Sequence, residues 1–476
     1  MTVRYIRVNP VADLFAPAVR AYGNIAIVGQ VTPPGQAPAA PTATAVAGAG
    51  LEVGAYRYAV TFVTAGAETE TGAETTVTTT AGNQKVDLTT IPTGPAGTTA
   101  RRLYRTAVGG ATGSERLLAT IEDNTATAFN DIVPDAKLGD IPPVAGPNTP
   151  IVFTDPGEAR RRVPGDLGEA IAQAFAQTPG PTLVYGVRTA SGPDWQAALD
   201  AVAPLDAQFV VLANTALDTT TGASGGAIHL LSDHVSAVSN TGGDGKERMG
   251  VAMLAKAATA TAVVSGALAH ERMVYIAHKS DEDAAASVAG VIAGYEPHIS
   301  ILLKPVNISS DPFTPTEISA INGNETFSSG PAGNGVNWLV DPSLIPGRGV
   351  YMGEGYTGNP GGKKYIDIVR TVDDVSFRLK AQLIKAIGTV RISRSGLRAL
   401  VAQLESVLQP LEQNEVIEGF DITIPLITLL DKDPNSLTAA ELNQINNAQS
   451  QRVVEVLIAV DYAGAIHRLS ITMKFV

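Results

Sequence analysis

The last eight residues of the chain, 469–476, alternate between apolar and polar side chains. The apolar positions are Leu469, Ile471, Met473 and Phe475. Alternation with a period of two predicts a β-strand with one buried face. Chain termini usually fray unless another element holds them. The strand therefore needs a partner, either in the sheet of its own chain or in a neighbouring copy of the protein.

Length and composition narrow the class of protein. The chain has 476 residues, 45% of them apolar, which is enough for several domains with large cores. Its net charge of −12 argues against a nucleic-acid-binding surface. The lack of cysteine rules out disulfides and thiolate metal sites. The first residues lack the apolar run of a signal peptide, so we expect the chain to be made and folded in a cytoplasm.

One stretch, 251–268, is apolar enough to be considered as a membrane span. It contains Lys256 and the hydroxyl side chains of Thr259, Thr261 and Ser265. A charge and several hydroxyls within an alanine-rich run are atypical of a span. We therefore predict a buried or amphipathic helix at this position, and we expect no direct insertion into a membrane.

Predicted strands and helices alternate through much of the chain. Apolar strands are predicted at 24–29, 182–187, 208–212 and 273–277, and helices at 166–177, 228–238 and 283–293. Such alternation indicates an α/β sheet that is covered on both faces. The stretch 305–365 is rich in Gly, Pro and Ser, and we predict irregular structure with short hairpins there.

The segment between the first two of these strands has a different character. Residues 50–142 are rich in Thr, Gly and Ala, and short strand patterns alternate there with turn residues. Proline-rich stretches at 32–48 and 142–150 flank the segment. These features predict an antiparallel β-sandwich. Several stretches resemble the fibronectin type III-like or Ig-like modules of phage structural proteins, namely 54–58, 68–70, 100–106 and 123–131.

The C-terminal part combines helices with strands. Helices are predicted at 372–387, 395–411 and 439–451, and strands at 420–429, 453–462 and 466–476. The predicted fold class is thus α/β with α+β character and several domains. It comprises a core with a mixed sheet and flanking helices, C-terminal helices with antiparallel strands, and an inserted all-β sandwich.

Motifs for catalysis or cofactor binding are incomplete. The stretch 222–226 fits the G-x-S-x-G pattern, but a loop separates Ser224 from the preceding strand, so a loop that caps the next helix is the simpler interpretation. His270 and Glu271 begin a zincin-like pattern, yet position 274 is Val. Neither a phosphate-binding loop nor a dinucleotide-binding glycine pattern is complete. We therefore predict no catalytic residue, no metal and no cofactor.

Three sets of charged residues are predicted to have structural roles and not catalytic ones. Asp233 and His234 are predicted to be a solvated pair on a helix surface. The basic run 160–162 is predicted to be a solvated face. Asp373 and Asp374 are predicted to place negative charge at the N-terminus of the helix that follows them.

A family resemblance begins in the C-terminal third. Residues 365–380 read YIDIVRTVDDVSFRLK, and the helix at 395–411, the segment 417–420 and the last two strands follow in order. This arrangement resembles the contractile tail sheath proteins of myophages, contractile bacteriocins and contractile injection systems. Further core segments resemble the same family, namely 23–29, 154–175 and 337–341. The resemblance covers about 1–31 and 150–476 and leaves out the predicted sandwich.

The resemblance implies a structural protein and not an enzyme. Sheath subunits stack as hexameric rings around an inner tube, and the polymer contracts to drive the tube through a target cell envelope. The implied parts are an extended N-terminal arm at 1–20, a discontinuous α/β core at 21–31 and 150–350, an inserted sandwich at 36–147, and a C-terminal domain at 351–476.

The resemblance also implies partners and a location. The expected partners are other copies of the chain, an inner tail tube protein, and baseplate and neck or terminator proteins, with no nucleic acid. The expected location is a virion tail or an injection particle that is assembled in the cytoplasm of the host or producer cell.

Neighbouring sheath subunits exchange their terminal arms, so the resemblance implies inter-subunit strand contacts here. The side chains expected to make them are Val3, Ile6, Val8, Leu469, Ile471, Met473 and Phe475. Main-chain hydrogen bonds hold such a strand, and its alternating side chains set the register. Three basic residues are candidates to face the tube if the tube is acidic, namely Arg391, Arg394 and Arg398.

Two other functions stay open at this point. The first is an α/β hydrolase-like enzyme that uses Ser224 and carries the β-sandwich as a binding module. The second is a different structural protein, such as a tube or an adhesin with an Ig-like module. The enzyme would be a monomer or small oligomer, whereas the other structural protein would assemble without a contracted state.

Overall fold

The structure is a computed structural model. It describes residues 23–32, 35–64, 68–142, 144, 146–190, 192–240, 245–323, 333–342, 344–346, 349–359, 361–362 and 365–467. The strands are β1 (Ile25–Gly29), β2 (Thr42–Val46), β3 (Gly54–Thr64), β4 (Thr75–Thr79), β5 (Lys85–Thr89), β6 (Thr98–Arg105), β7 (Arg116–Ile121), β8 (Phe129–Asp131), β9 (Ile151–Phe153), β10 (Val184–Arg188), β11 (Phe209–Leu217), β12 (Met249–Leu254), β13 (Met273–Ala277), β14 (Pro305–Val306), β15 (Val336–Val340), β16 (Val350–Met352), β17 (Ile417–Thr423) and β18 (Leu457–Tyr462). The helices are α1 (Pro156–Arg162), α2 (Asp166–Phe175), α3 (Trp195–Val202), α4 (Ala227–Ser239), α5 (Ala284–Gly294), α6 (Pro315–Asn322), α7 (Ile366–Ala386), α8 (Arg394–Gln413), α9 (Pro425–Asp431) and α10 (Ala439–Gln451).

A nine-stranded mixed sheet forms the centre of the molecule. Its strand order is β14-β16-β15-β13-β12-β11-β1-β10-β9. The strands from β10 to β15 in this order run parallel, and the strands at the two ends pair antiparallel. Strands β1, β12 and β13 are buried along their whole length, as expected for parallel strands covered on both faces. The predicted α/β class is therefore confirmed.

Helices cover both faces of this sheet, and β1 shows how the two layers are separated. Ile25 and Ile27 point into the layer with α2 and α5, whereas Ala26 and Val28 point into the layer with α3 and α4. Successive side chains of a strand point to opposite faces, so one apolar strand contributes to both cores. Helix α5 is buried along almost its whole length.

The helix predicted at 251–268 is wrong. Strand β12 occupies the first part of this stretch, and all six of its residues are buried in the middle of the sheet. The backbone then turns at Ala257, which has a positive φ of 62°. A short 3-10 helix, Gly266–Leu268, is the only helical turn described in this stretch. An apolar run buried on both faces has no amphipathic period, so periodicity alone does not separate a strand from a helix here.

Two antiparallel sheets, β2-β5-β8 and β4-β3-β6-β7, form an all-β unit between β1 and β9. Their shared core contains Leu51, Tyr56, Tyr58, Val60, Val86, Leu88, Ile91, Leu103 and Leu118. The chain enters this unit from the central sheet and returns to the sheet at one place. The N–H of Thr189 donates to the carbonyl of Gly29 at 3.0 Å, and the N–H of Asn148 donates to the carbonyl of Arg188 at 2.8 Å. The two connections of the all-β unit therefore lie side by side at the end of β10.

The C-terminal region consists of the α7–α8 hairpin, α9, α10 and a two-stranded antiparallel sheet of β17 and β18. Two predictions in this region are wrong. The strand predicted at 420–429 ends at Thr423, because Pro425 begins α9, and proline favours the first turn of a helix. Helix α7 begins at Ile366, so Asp373 and Asp374 lie within it instead of at its N-terminus. The first carboxylate pairs with Arg272, and the second pairs with Arg378.

Candidate functional site

The carboxyl edge of the parallel strands is where open α/β sheets bind ligands, at the point where the strand order reverses. Here that point lies between β1 and β11, where groups of the chain bond to one another. Asn214 donates from its backbone N–H to Asp283 at 2.7 Å and from its amide to Asp166 at 3.2 Å. Burial raises the pKa of the Asp283 carboxyl. Gly29 approaches Ala213 so closely that a Cβ at position 29 would lie 2.6 Å from the methyl group.

Ser224 lies in an exposed turn before α4, as the loop interpretation predicts. Among the described residues it has no hydrogen bond to a histidine. A different serine, Ser232, lies 2.7 Å from Nε2 of His270. The N–H of Arg272 donates to Nδ1 of this histidine, so Nε2 carries the proton and donates to Ser232, which in turn donates to Ala267. A nucleophilic serine must donate to the histidine, so this pair is a structural bond.

The prediction that His234 is solvated is wrong. Its side chain is 7% exposed, and its Nε2 atom lies 3.3 Å from Nη1 of Arg248. That guanidinium is fully buried and also donates to the carbonyls of Val202, Ala203, Leu205 and Lys246. Burial and the adjacent positive charge lower the pKa of His234 to about 4. The histidine is therefore a neutral acceptor within a network that joins α3, α4 and the start of β12.

Possible metal and membrane sites were also considered. The described residues contain no group of three or more His, Asp or Glu side chains that could hold a metal ion. No helix in the described part of the chain is long and apolar enough to cross a membrane.

The two-stranded sheet of β17 and β18 is the strongest candidate for an assembly site. Phe420 and Ile422 of β17 and Ile458 of β18 pack against the α7–α8 hairpin. In the described chain each of these strands pairs only with the other. Among the described residues each strand therefore has one edge without a paired strand, and such an edge is the template that an added strand requires. Leu457 and Val460 are also 50% and 37% exposed.

The side chains predicted to exchange between subunits lie outside the described residues. These are Val3, Ile6, Val8, Leu469, Ile471, Met473 and Phe475. The described chain nevertheless ends close to β18. A groove of about 760 Å³ runs between the 298–304 segment, the end of α8 and residues 463–466. Ile466 is 79% exposed at its side.

The three arginines proposed to face a tube differ in their surroundings. Arg394 Nε lies 2.8 Å and Arg398 Nη2 lies 3.1 Å from the carboxylate of Asp431, at the end of α9. Arg391 lies in the exposed turn between α7 and α8. The sequence interpretation missed two apolar neighbours at this turn, Ile384 and Ile387, which are 69% and 77% exposed. Their position outside the apolar stripe of α7 was the available signal.

Comparisons with known proteins give structural matches. No protein-family model and no curated protein matches the chain. The sheath complex of the extracellular contractile injection system PVC, in its contracted state, matches with a TM-score of 0.51 and 12% identity over 69% of this chain and 87% of that chain. Chains of the anti-feeding prophage match in its baseplate (TM-score 0.49, 14% identity) and in its contracted helical sheath (TM-score 0.48, 15% identity), each over 69% of this chain and 88% of that chain. The match to the PVC sheath complex shows that the chain has a sheath-like fold.

Proposed function

We propose that the chain is the structural subunit of a contractile tail sheath. In this function it polymerises as stacked hexameric rings around an inner tube and contracts to drive the tube through a target cell envelope. The likeness in fold to the PVC sheath complex, at a TM-score of 0.51, carries the proposal. The open edges of β17 and β18 support it, because a helical polymer needs a contact that does not close on itself.

The occupants of these open edges are the terminal arms of neighbouring copies. The alternation of residues 469–476 suits a strand that adds to a sheet by main-chain hydrogen bonds and buries one face. On this proposal the apolar face of the added strand contains Leu469, Ile471, Met473 and Phe475, and the N-terminal arm contributes Val3, Ile6 and Val8. One added strand per subunit links each copy to the next along the polymer.

The tip of the α7–α8 hairpin is the proposed contact with the inner tube. Arg391 is exposed in the turn, and Ile384 and Ile387 are exposed at the end of α7, so this part of the hairpin carries both basic and apolar side chains. Arg394 and Arg398 share the single carboxylate of Asp431, so together with Arg391 they keep a surplus of positive charge for an acidic tube surface. Baseplate and neck or terminator proteins complete the proposed set of partners, in a tail or injection particle that is assembled in a cytoplasm.

The all-β unit is proposed to be an Ig-like or fibronectin type III-like insertion on the outside of the sheath. Its two connections meet at the end of β10, which is the geometry of a tolerated insertion. The hydrolase alternative is not favoured, since Ser224 lacks a histidine partner among the described residues, and Asn214, Asp166 and Asp283 at the reversal point of the sheet bond to one another.

Negative-stain electron microscopy of the purified chain tests the proposal. Hollow cylinders of uniform width would support a sheath subunit. Discrete globules under all conditions, together with hydrolase activity that is lost in Ser224→Ala, would favour the enzyme instead.

A further inference from the structure

The last described residues cross from β18 to the α/β core at a defined point. Strand β18 ends at Tyr462, whose hydroxyl donates to the carboxylate of Asp367 in the first turn of α7. Five residues later, Nδ1 of His467 lies 3.1 Å from Oε2 of Glu354. The other ring nitrogen, Nε2, lies 3.0 Å from the hydroxyl of Ser300. The base of the C-terminal arm is thus held at two places.

The histidine contact is enclosed. The side chains of His467 and Glu354 are only 12% and 9% exposed. The ring of Tyr365 meets the imidazole edge-on, with 4.7 Å between the ring centroids. An ion pair that is shielded in this way interacts more strongly than one on an open surface, because less water screens it.

Protonation changes what the imidazole can donate. When His467 is charged, both ring nitrogens carry protons, one for the Glu354 carboxylate and one for the Ser300 hydroxyl. When it is neutral, only one nitrogen donates, and the attraction between the positive imidazolium and the negative carboxylate is lost. The contact is therefore stronger in the protonated state.

The charges around His467 favour the protonated state. Glu354 lies beside it after β16, and Asp367 faces it from α7; both raise the pKa of His467, the first through its hydrogen bond, whereas burial opposes them. The phenols of Tyr365, Tyr356 and Tyr462 stay neutral, because burial raises the pKa of each.

The groove beside the contact also carries charged groups. His298 and Lys304 lie on the 298–304 segment, and Glu412, Glu415 and Glu418 lie at the end of α8 and the start of β17. These carboxylates outnumber the cations. They therefore add to the negative potential at the base of the arm.

Glu354, the acceptor in this contact, is held close to the central sheet of the same chain. Two residues beyond Glu354, the N–H of Tyr356 donates to the side chain of Asn337 at 2.6 Å. The amide of Asn337 donates in turn to the carbonyl of Tyr275 in β13 at 3.1 Å. His467 is thus joined to the rigid α/β core, whereas β18 belongs to the C-terminal region.

We propose that His467 and Glu354 form a pH-dependent latch that fixes the base of the C-terminal arm against the α/β core, closed when His467 is protonated and weakened when it is neutral. The latch controls the direction in which residues 468–476 leave the subunit. This role rests on the proposed function, in which those residues form the strand that is given to a neighbour.

Hydrogen–deuterium exchange of the monomeric fraction of the full-length chain tests the latch. The measured quantity is the protection of the peptide 463–476 at pH 6.0 and pH 8.5, corrected for intrinsic exchange rates. We expect several-fold greater protection at pH 6.0 in the wild type. His467→Gln keeps a polar side chain that does not titrate. We expect its protection at both pH values to be as low as that of the wild type at pH 8.5.

Two control variants separate the latch from other effects. Tyr462→Phe removes the other attachment and should lower protection by the same factor at both pH values. His298→Gln removes a histidine from the groove wall and should leave the pH dependence intact. Equal wild-type protection at both pH values, or an unchanged pH dependence in His467→Gln, would overturn the latch. Because this experiment uses monomers, a chain that forms no cylinders but keeps the pH dependence would count against the sheath function alone.

Discussion

Phe420 of β17 lies directly opposite Val460 of β18, in the middle of a sheet for which the described chain provides only two strands. Two-stranded sheets are marginally stable without further partners. Packing on the α7–α8 hairpin supports one face of this sheet, and no other described strand pairs with either of its edges. The site is therefore suited to accept strands from other copies.

Met473→Asp should prevent long cylinders without unfolding the subunit. On the proposed arrangement it places a charge on the buried face of the added strand, where an unpaired ion costs several kcal/mol. Lys474→Ser is the matched control, because residue 474 lies on the opposite face and its replacement should change stability by no more than about 0.5 kcal/mol. Pelleting and electron microscopy give the degree of polymerisation, and circular dichroism checks the fold. Global unfolding of the Met473→Asp monomer would mean that the strand completes its own subunit's sheet.

Replacing residues 36–147 by a short Gly/Ser linker should preserve polymerisation. The chain on either side of the all-β unit is bonded at the end of β10, since Gly29 accepts from Thr189 just after the strand and Asn148 donates to Arg188. A short linker can therefore span the gap. The measurement is cylinder formation by the shortened chain. A folded, soluble product that never polymerises would place the all-β unit among the polymer contacts.

Arg105→Met should destabilise the all-β unit selectively. The guanidinium is fully buried and lies 2.8 Å from the equally buried carboxylate of Asp131. Removing one partner of a buried ion pair costs about 3–5 kcal/mol. Hydrogen–deuterium exchange at increasing urea should show the peptides of the all-β unit opening at lower urea, whereas the fluorescence transition of Trp195 and Trp338, in the α/β core, should not shift.

Arg160→Met is the control for this experiment. Its pair with Glu169 is more than half exposed on both sides, and exposed pairs contribute about 0–1 kcal/mol. An opening transition of the all-β unit that moves no further in Arg105→Met than in Arg160→Met would contradict the importance of the buried pair.

His234 should make the α/β core sensitive to acid. Its folded-state pKa of about 4 lies below the ordinary 6.5, so the unfolded chain binds the proton more readily. The free energy of unfolding is therefore highest above pH 6.5 and falls as the pH falls towards 4. The total loss is about 3 kcal/mol, at 1.36 kcal/mol per unit of pKa shift. Urea unfolding between pH 7 and pH 4.5, followed by tryptophan fluorescence, measures the loss. His234→Gln should show a shallower pH dependence, and an unchanged one would contradict this role.

Local patterns predicted much of the α/β core. The apolar run 273–277 coincides with β13, and helix α8 follows the leucine-rich stripe predicted at 395–411. The same reasoning could have found His234, since it lies on the apolar stripe of α4 with Leu231 and Val235. Treating the histidine as polar by residue type alone led to the wrong prediction.

Contacts between distant parts of the chain could not be predicted in this way. Glu354 and His467 are separated by 113 positions, and only the folded topology brings them together. Arg105 and Asp131 lie on different sheets of the all-β unit, so their burial depends on how those sheets pack. Side-chain periodicity describes one element at a time, whereas these contacts depend on tertiary structure.

Helical reconstruction by cryo-electron microscopy of the assembled full-length chain tests the sheath assignment most directly. We predict a hollow cylinder of stacked six-subunit rings in which a strand within residues 468–476 of one subunit pairs with β17 or β18 of another. A chain that yields only discrete particles, or a cylinder in which each terminal strand pairs within its own subunit, would contradict the account.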